Sequence, residues 1–225
     1  MSDMILFGVF PYVAVALMVG VGIYRYCIDR YSWSSQSSQF LESRVLFWGS
    51  VPWHYAILII LLAHFLAFLV PSAWGIVLGS PLRLYLLEVT GLALGLSTLI
   101  AVFLLVFRRA LNARVSAVTT VIDWLVLAAL LLQVATGVYI AFTLRWGSVW
   151  YLHTASPWLW SLLKLDPQVQ YLAALPGVVK LHAFNAFLII ALFPFSRLVH
   201  VVSVPLTYLS RPYQVVVWYR ERRGN

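Results

Sequence analysis

Charge is what this chain has least of: of its 225 residues only 10% are Asp, Glu, Lys or Arg, while 63% are hydrophobic. A soluble globular protein carries about 25% charged residues, and a fold of this length needs a polar surface that these side chains cannot supply. Cysteine is nearly absent. The single Cys27 excludes an internal disulfide, a CxxCH haem attachment and an iron–sulfur site held by four cysteines of this chain. Methionine is confined to Met1, Met4 and Met18, in or just before the first apolar stretch. Nothing supports a nucleophile, a phosphate loop or a hydrolytic site, and there is no internal repeat or low-complexity segment.

What the chain does have is long charge-free runs. Met4 to Tyr24, Val45 to Leu82 and Trp124 to Leu144 contain no Asp, Glu, Lys or Arg. About 20 such residues cross the ~30 Å hydrocarbon core as a helix, and a backbone at that depth must satisfy its own hydrogen bonds. The sequence predicts one all-α integral membrane domain over residues 1–225, with five spans at about 4–26, 46–70, 84–107, 117–143 and 178–202. The first stretch has neither a basic region before it nor a small-residue cleavage site after it, and is expected to be a retained helix. Glu88 and Asp123, near span ends, are expected to snorkel or to pair with a loop arginine. Pro194 is expected to kink the fifth span.

The net charge of +8 does not mark a nucleic-acid partner, because the cations sit at the ends of apolar runs. Arg25, Arg30, Arg44, Arg108, Arg109, Arg114, Arg197, Arg211, Arg220, Arg222 and Arg223 fall on one side, and only Arg83, Arg145, Lys164 and Lys180 on the other. The positive-inside rule puts the first group in the cytoplasm and the N-terminus outside. The long outer connection, about 145–177, carries Trp146, Trp150, Trp158 and Trp160, which suits a segment lying in the membrane interface.

Five histidines occur, and His54, His64, His182 and His200 fall within predicted spans, where ionisable groups are rare and usually functional. His64 follows His54 by ten residues, about 15 Å along a helix, and His200 follows His182 by eighteen, about 27 Å. Antiparallel packing of spans two and five then pairs His54 with His200 near the cytoplasm and His64 with His182 near the outside. Two stacked pairs suit two haems, each iron taking one imidazole on either face. A lone histidine in a span is more often a packing residue or a proton-relay member, and His153 in the outer connection is assigned no ligand role. Arg44, Arg108, Arg109 and Arg197 are the expected partners of inner-haem propionates. Gly49, Gly91, Gly95 and Gly137 are small residues that permit close approach.

The motifs RY-(x)4-YSW-(x)3-SSQ at Arg25 to Gln39, H-(x)9-HF at His54 to Phe65, ARV-(x)3-TT-(x)2-D at Ala113 to Asp123, and LH-(x)10-FPFSRLVH-(x)2-SVP-(x)2-YL-(x)-R-(x)-YQ at Leu181 to Gln214 make the chain resemble the gamma subunit of membrane-bound respiratory nitrate reductases, a di-haem cytochrome b. The resemblance runs over nearly the whole chain and implies the same histidine pairing. It further implies quinol oxidation near the outer haem with protons released outside. Electrons then pass through two b haems to an iron–sulfur beta subunit and a molybdopterin alpha subunit in the cytoplasm, docked on the arginine-rich loops and the tail from 203 to 225. The implied location is the cytoplasmic membrane of a bacterium or archaeon, in contact with lipid and the quinone pool.

One stretch departs from the family: SPLRLYLLE before the third span has Arg83 as its nearest cation where the family has a lysine, and Ala63 precedes His64 where the family usually has glycine. His64, Arg83 and Glu88 are the candidate quinone contacts. Two readings stand beside the first: the same di-haem anchor in a nitrite-oxidising complex, or serving another molybdenum reductase. A haem-free transporter that relays protons through its histidines is the reading from a different class, and it predicts no Soret band.

Overall fold

The computed structural model describes residues 2–202. Five helices are long and apolar enough to cross a membrane: Ser2–Ile28, Arg44–Leu69, Pro81–Leu111, Val121–Thr143 and Gly177–Phe195. They are called the first to fifth helices below. The tail from 203 to 225, with Arg211, Arg220, Arg222 and Arg223, lies outside the described residues.

Local chemistry sets the boundaries. The Glu42 carboxylate accepts from the N–H groups of Val45 at 2.8 Å and Leu46 at 3.2 Å, so an anion closes the N-terminus of the second helix. That helix ends at Leu69, and Val70 leaves helical geometry before Pro71, because proline disfavours helical geometry in the residue before it. The third helix opens with Pro81 at its first position, where the missing N–H costs nothing. The fourth starts at Val121 rather than near 117, because Thr120 and Asp123 form a reciprocal capping box. Residues 113–117 instead make a separate short helix, capped by Asn112.

The fifth helix departs from expectation more sharply. Its α-helical part stops at Leu192 and is followed by 3-10 turns at Phe193–Phe195 and Arg197–Val201. Pro194 does more than kink the span: it cannot donate to the ladder and its ring excludes the carbonyl one turn back. His200 therefore sits on a 3-10 turn, and the 27 Å helical rise expected from His182 does not apply. Arg25 takes up two carbonyls beyond this break, donating to Pro194 O at 2.7 Å and Ser196 O at 3.1 Å.

The closely packed neighbours run second–third, third–fourth, fourth–fifth and fifth–first, so the bundle is an arc whose histidine-bearing second and fifth helices are not consecutive in it. Small residues set the seams. A Cβ on Gly49 would meet Leu105 Cδ2 at 2.8 Å, and one on Gly95 would meet Val138 Cγ2 at 3.1 Å, whereas Gly91 has nothing within 4 Å. At the other end, residues 147–175 fold back over the helices. Trp158, only 2% exposed, packs with Phe7, Leu162 and Leu172. Its indole donates to Phe7 O, and Trp160 donates to Phe68 O, each at 2.9 Å. These two tryptophans thus stitch the connection to the first and second helices instead of only lining an interface, since a buried indole N–H seeks a partner.

The arginine-rich end is held by charge. Asp123, 6% exposed, receives Arg197 Nε at 2.9 Å and Arg109 Nη1 at 3.2 Å, so the expectation of an arginine partner is met twice. Arg108 donates to the Glu42 carboxylate at 2.6 Å and to Ser38 Oγ and the carbonyls of Ser38 and Glu42. Asp123→Ala is expected to destabilise the chain by about 3 kcal/mol or more, because it strands two partly buried cations. A fall in the thermal midpoint of the detergent-solubilised protein, larger than for Arg109→Ala or Arg197→Ala alone, checks this.

Glu42 also makes stability depend on pH. The Val45 N–H is the largest effect holding its carboxyl below the ordinary value; burial, next in size, opposes it, and Arg108 and the Leu46 N–H add to the lowering. A depressed carboxyl stabilises the fold fully above its unfolded value of about 4.3 and loses that stabilisation as pH falls through the lower folded value. The difference in thermal midpoint between wild type and Glu42→Gln is therefore expected to be largest near pH 7 and to shrink below about pH 4.3.

Candidate functional site

The structure brings His54 and His200 together: their ring centroids are 6.2 Å apart with planes at 67°. His54 comes from the third turn of the second helix, and His200 is delivered by the 3-10 turn that Pro194 makes possible. His54 Nδ1 lies 2.7 Å from Ser50 O and 3.2 Å from Ser50 Oγ. His200 Nδ1 lies 2.7 Å from Arg197 O. An imidazole whose Nδ1–H is held by a carbonyl presents Nε2 as its basic nitrogen, the arrangement usual for metal-binding histidines.

Toward the tryptophan-rich end, His64 Nδ1 lies 2.8 Å from Ile60 O, and its ring meets the Tyr151 ring edge-on at 5.8 Å. Tyr151 also donates to His64 O at 3.4 Å, and desolvation pushes its phenol up to about 12, so it remains a protonated donor. His182 is held by the fourth helix: Thr136 Oγ1 lies 3.0 Å from its Nδ1 and Gln133 Nε2 lies 3.1 Å from its Nε2. A Cβ on Gly137 would meet His182 Cε1 at 3.1 Å, so glycine makes room for this ring. His153 is exposed at the end of the helix Gly147–His153.

The inner pair of donors, His54 and His200, has a spacing that fits haem. Two metal–nitrogen bonds of about 2 Å, plus roughly 1 Å from each nitrogen to its ring centre, separate two axial imidazoles by about 6 Å between centroids. His54 and His200 stand at that separation. Among the described residues no group of three or more His, Cys, Asp or Glu is gathered, so a cation needing an all-protein cage finds fewer ligands here than a macrocycle that brings four nitrogens of its own.

The expected auxiliary residues have other partners. Arg108 is bound to Glu42 and Ser38, and Arg109 and Arg197 to Asp123. Arg197 also reaches Gln36 O and Val118 O. Arg44 is exposed and lines an open cavity of about 520 Å³ with Trp48, Pro52 and Ser97. Arg83 donates to Val77 O and Ile76 O, closing the short helix Pro71–Leu78. Among the described residues Glu88 pairs with no arginine. It accepts from Ser148 N at 2.9 Å and Ser148 Oγ at 2.7 Å, and so anchors the helix that lays Tyr151 against His64. Gln133, Thr136, Asn185 and Tyr151 were not singled out from the sequence. The available signal was an uncharged polar residue in a charge-free run, such as Gln133 within VLAALLLQVATGV.

Comparison with known proteins decides the family. The nitrate reductase gamma subunit model matches residues 3–219. The chain belongs to the nitrate reductase gamma subunit family. It is 32% identical over 225 residues to the nitrate reductase gamma chain of Bacillus subtilis, covering 99% of this chain and 100% of that one. Against the respiratory nitrate reductase 1 gamma chain of Escherichia coli it is 33% identical over 220 residues, 95% and 96% of the two chains. It also matches the nitrate reductase-like protein NarX of Mycobacterium tuberculosis at 33% over 220 residues, 95% of this chain but 33% of that protein. Membership of this family makes the chain a multi-pass membrane subunit of an oxidoreductase complex.

For this gamma-family chain, His54→Ala and His200→Ala are each expected to remove one and the same b haem, and His64→Ala and His182→Ala the other. Haem counts and difference spectra of the four purified variants check the pairing, and loss of different haems within a pair would refute it.

Proposed function

We propose that this chain is the electron-transfer anchor of a respiratory nitrate reductase, with His54 and His200 holding an inner b haem and His64 and His182 an outer one. The observation that carries this reading is the 6.2 Å spacing of the His54 and His200 rings, together with Nδ1 of both bound to a carbonyl of its own segment. Bound haem supplies one-electron oxidation and reduction at two depths in the membrane.

The chain's residues orient the relay. The cations gathered at one end support a cytoplasmic location for that end, with the N-terminus outside. An iron–sulfur beta subunit and a molybdopterin alpha subunit are then expected to dock there, on the loops tied by Arg108 and Asp123 and on residues 203–225. Arg44, Arg108, Arg109 and Arg197 are the proposed propionate partners. Arg44 comes first among them, because the other three already carry carboxylate or carbonyl partners. Quinol is proposed to bind beside His64, with Arg83 and Glu88 forming the wall through the short helices that they cap and Tyr151 offering a protonated hydroxyl. Quinol protons released outside while electrons move inward would charge the membrane.

One observation favours a second reading, the same anchor running from nitrite oxidation towards quinone. Arg83 is the nearest cation in the stretch where the family resemblance implies a lysine, and its guanidinium donates to the Val77 and Ile76 carbonyls.

A reduced-minus-oxidised spectrum with haem quantification on the purified protein, repeated with a menaquinol analogue as reductant, separates these. Two b haems per chain reduced by the quinol are expected. Two haems that quinol fails to reduce would favour the reverse direction, and no haem in folded protein would overturn both.

A further inference from the structure

Three of the four histidines hold Nδ1 on a backbone carbonyl of their own segment: His54 on Ser50, His64 on Ile60 and His200 on Arg197. His182 differs. Its Nδ1 partner is a side chain from another helix, the hydroxyl of Thr136 at 3.0 Å. The direction of that bond follows from counting protons. A hydroxyl has one hydrogen, and Thr136 has a carbonyl one turn back, Leu132 O, at 2.7 Å, with Gln133 O at 3.1 Å. With its hydrogen given to a carbonyl, Oγ1 can only accept from His182, which therefore carries its proton on Nδ1 and its lone pair on Nε2.

A second chain of bonds reaches the same assignment independently. Asn185, 1% exposed, directs Nδ2 to Ala129 O at 2.9 Å and to Gln133 Oε1 at 2.7 Å. Those two acceptors fix the Asn185 amide even though its Oδ1 is buried without a partner. With Gln133 Oε1 thus identified as the acceptor, its amide nitrogen faces His182 Nε2 at 3.1 Å, which must then be an acceptor. Both chains leave Nε2 unprotonated; Gln133 holds that lone pair here and would have to withdraw for iron to bind it, whereas the Thr136 bond at Nδ1 need not change. Gly137, next in sequence to Thr136, provides the space against which the ring rests.

We propose that Thr136 is the positioning residue for the outer haem. Its hydroxyl sets the tautomer and ring orientation of His182, and its loss affects the outer haem while the inner one, whose histidines rely on backbone carbonyls, is spared. This rests on the di-haem reading above. A hydrogen bond at the distal nitrogen raises the basicity of a ligating imidazole, and removing such partners typically weakens metal binding about 10–100-fold.

The experiment compares wild type, Thr136→Val and Thr136→Ser by haem content per chain, redox titration and low-temperature EPR of the oxidised haems. Thr136→Val is expected to lose the outer haem on washing. If it keeps that haem, its titration step should move to higher potential, because a less basic imidazole favours the ferric state less, and its EPR signal should change. The inner signals should stay at wild-type positions, and Thr136→Ser should match wild type. Thr136→Val with both haems at wild-type potentials and spectra would overturn the proposal. So would loss of both haems in Thr136→Val, since the hydroxyl would then support the fold at large, or loss of the outer haem in Thr136→Ser. Fewer than two haems in the wild type would refute the di-haem reading instead.

Discussion

One buried carboxylate holds the arginine-rich end of this bundle in register. Asp123 caps the fourth helix through Thr120 and binds Arg109 from the end of the third and Arg197 from the turn after the fifth. In a low-dielectric setting an ion pair of this kind is stable only when its remaining donors and acceptors are met. Here the spare N–H groups of Arg197 reach the Gln36 and Val118 carbonyls. The turn so fixed is the one that carries His200. Asp123 ties that turn to the fourth helix through Arg197, and the approach of His200 to His54 depends on where the turn sits.

The break at Pro194 and the ion pairs around it belong to one solution. A straight helix would carry His200 onward along its axis. Ending it at Leu192 lets a tighter turn bring the ring across to His54, and the carbonyls left beyond the break are taken by Arg25. Cations that the positive-inside rule treats only as topological markers thus have structural work of their own. Arg25, Arg108, Arg109 and Arg197 each make specific bonds that bind a loop or a turn to the helix ends.

Much of this was legible in the sequence, for physical reasons. Charge-free runs announce helices because lipid leaves the backbone no alternative. Five such helices are present among the described residues, four with ends within about four residues of expectation and the fifth ending at Phe195 where 202 was expected. The four histidines of the predicted spans stood out because such groups are costly in a bilayer, although His200 falls on the 3-10 turn beyond the fifth helix. What could not be read were partners supplied from far along the chain. Asp123 found arginine as expected, whereas Glu88 found Ser148, sixty residues away. Trp158 and Trp160 looked interfacial by composition, yet their indoles close on helix-end carbonyls. Gln133, Thr136 and Asn185 carry no charge to flag them, and their relation to His182 exists only once the fourth and fifth helices pack. The extent of the helical disruption at Pro194 was likewise invisible, since proline permits either a bend or a stop.

The seam between the first and fifth helices bears on how the chain is made. Its bonds, with one from the connection before the fifth helix, join residues far apart in the sequence: Trp158 of that connection to Phe7 across 151 positions, Arg25 to Pro194 across 169, and Lys180 to Asp3 across 177. The first helix enters the membrane long before its partners are synthesised, and until then Arg25 Nη1 lacks the Pro194 and Ser196 carbonyls that it binds. The arc can close only when the last helix emerges, so the amino-terminal helix spends most of translation as an unclosed edge. Contacts of such long sequence separation form late, and a chain in that interval is the form most exposed to mispairing with its neighbours in the bilayer.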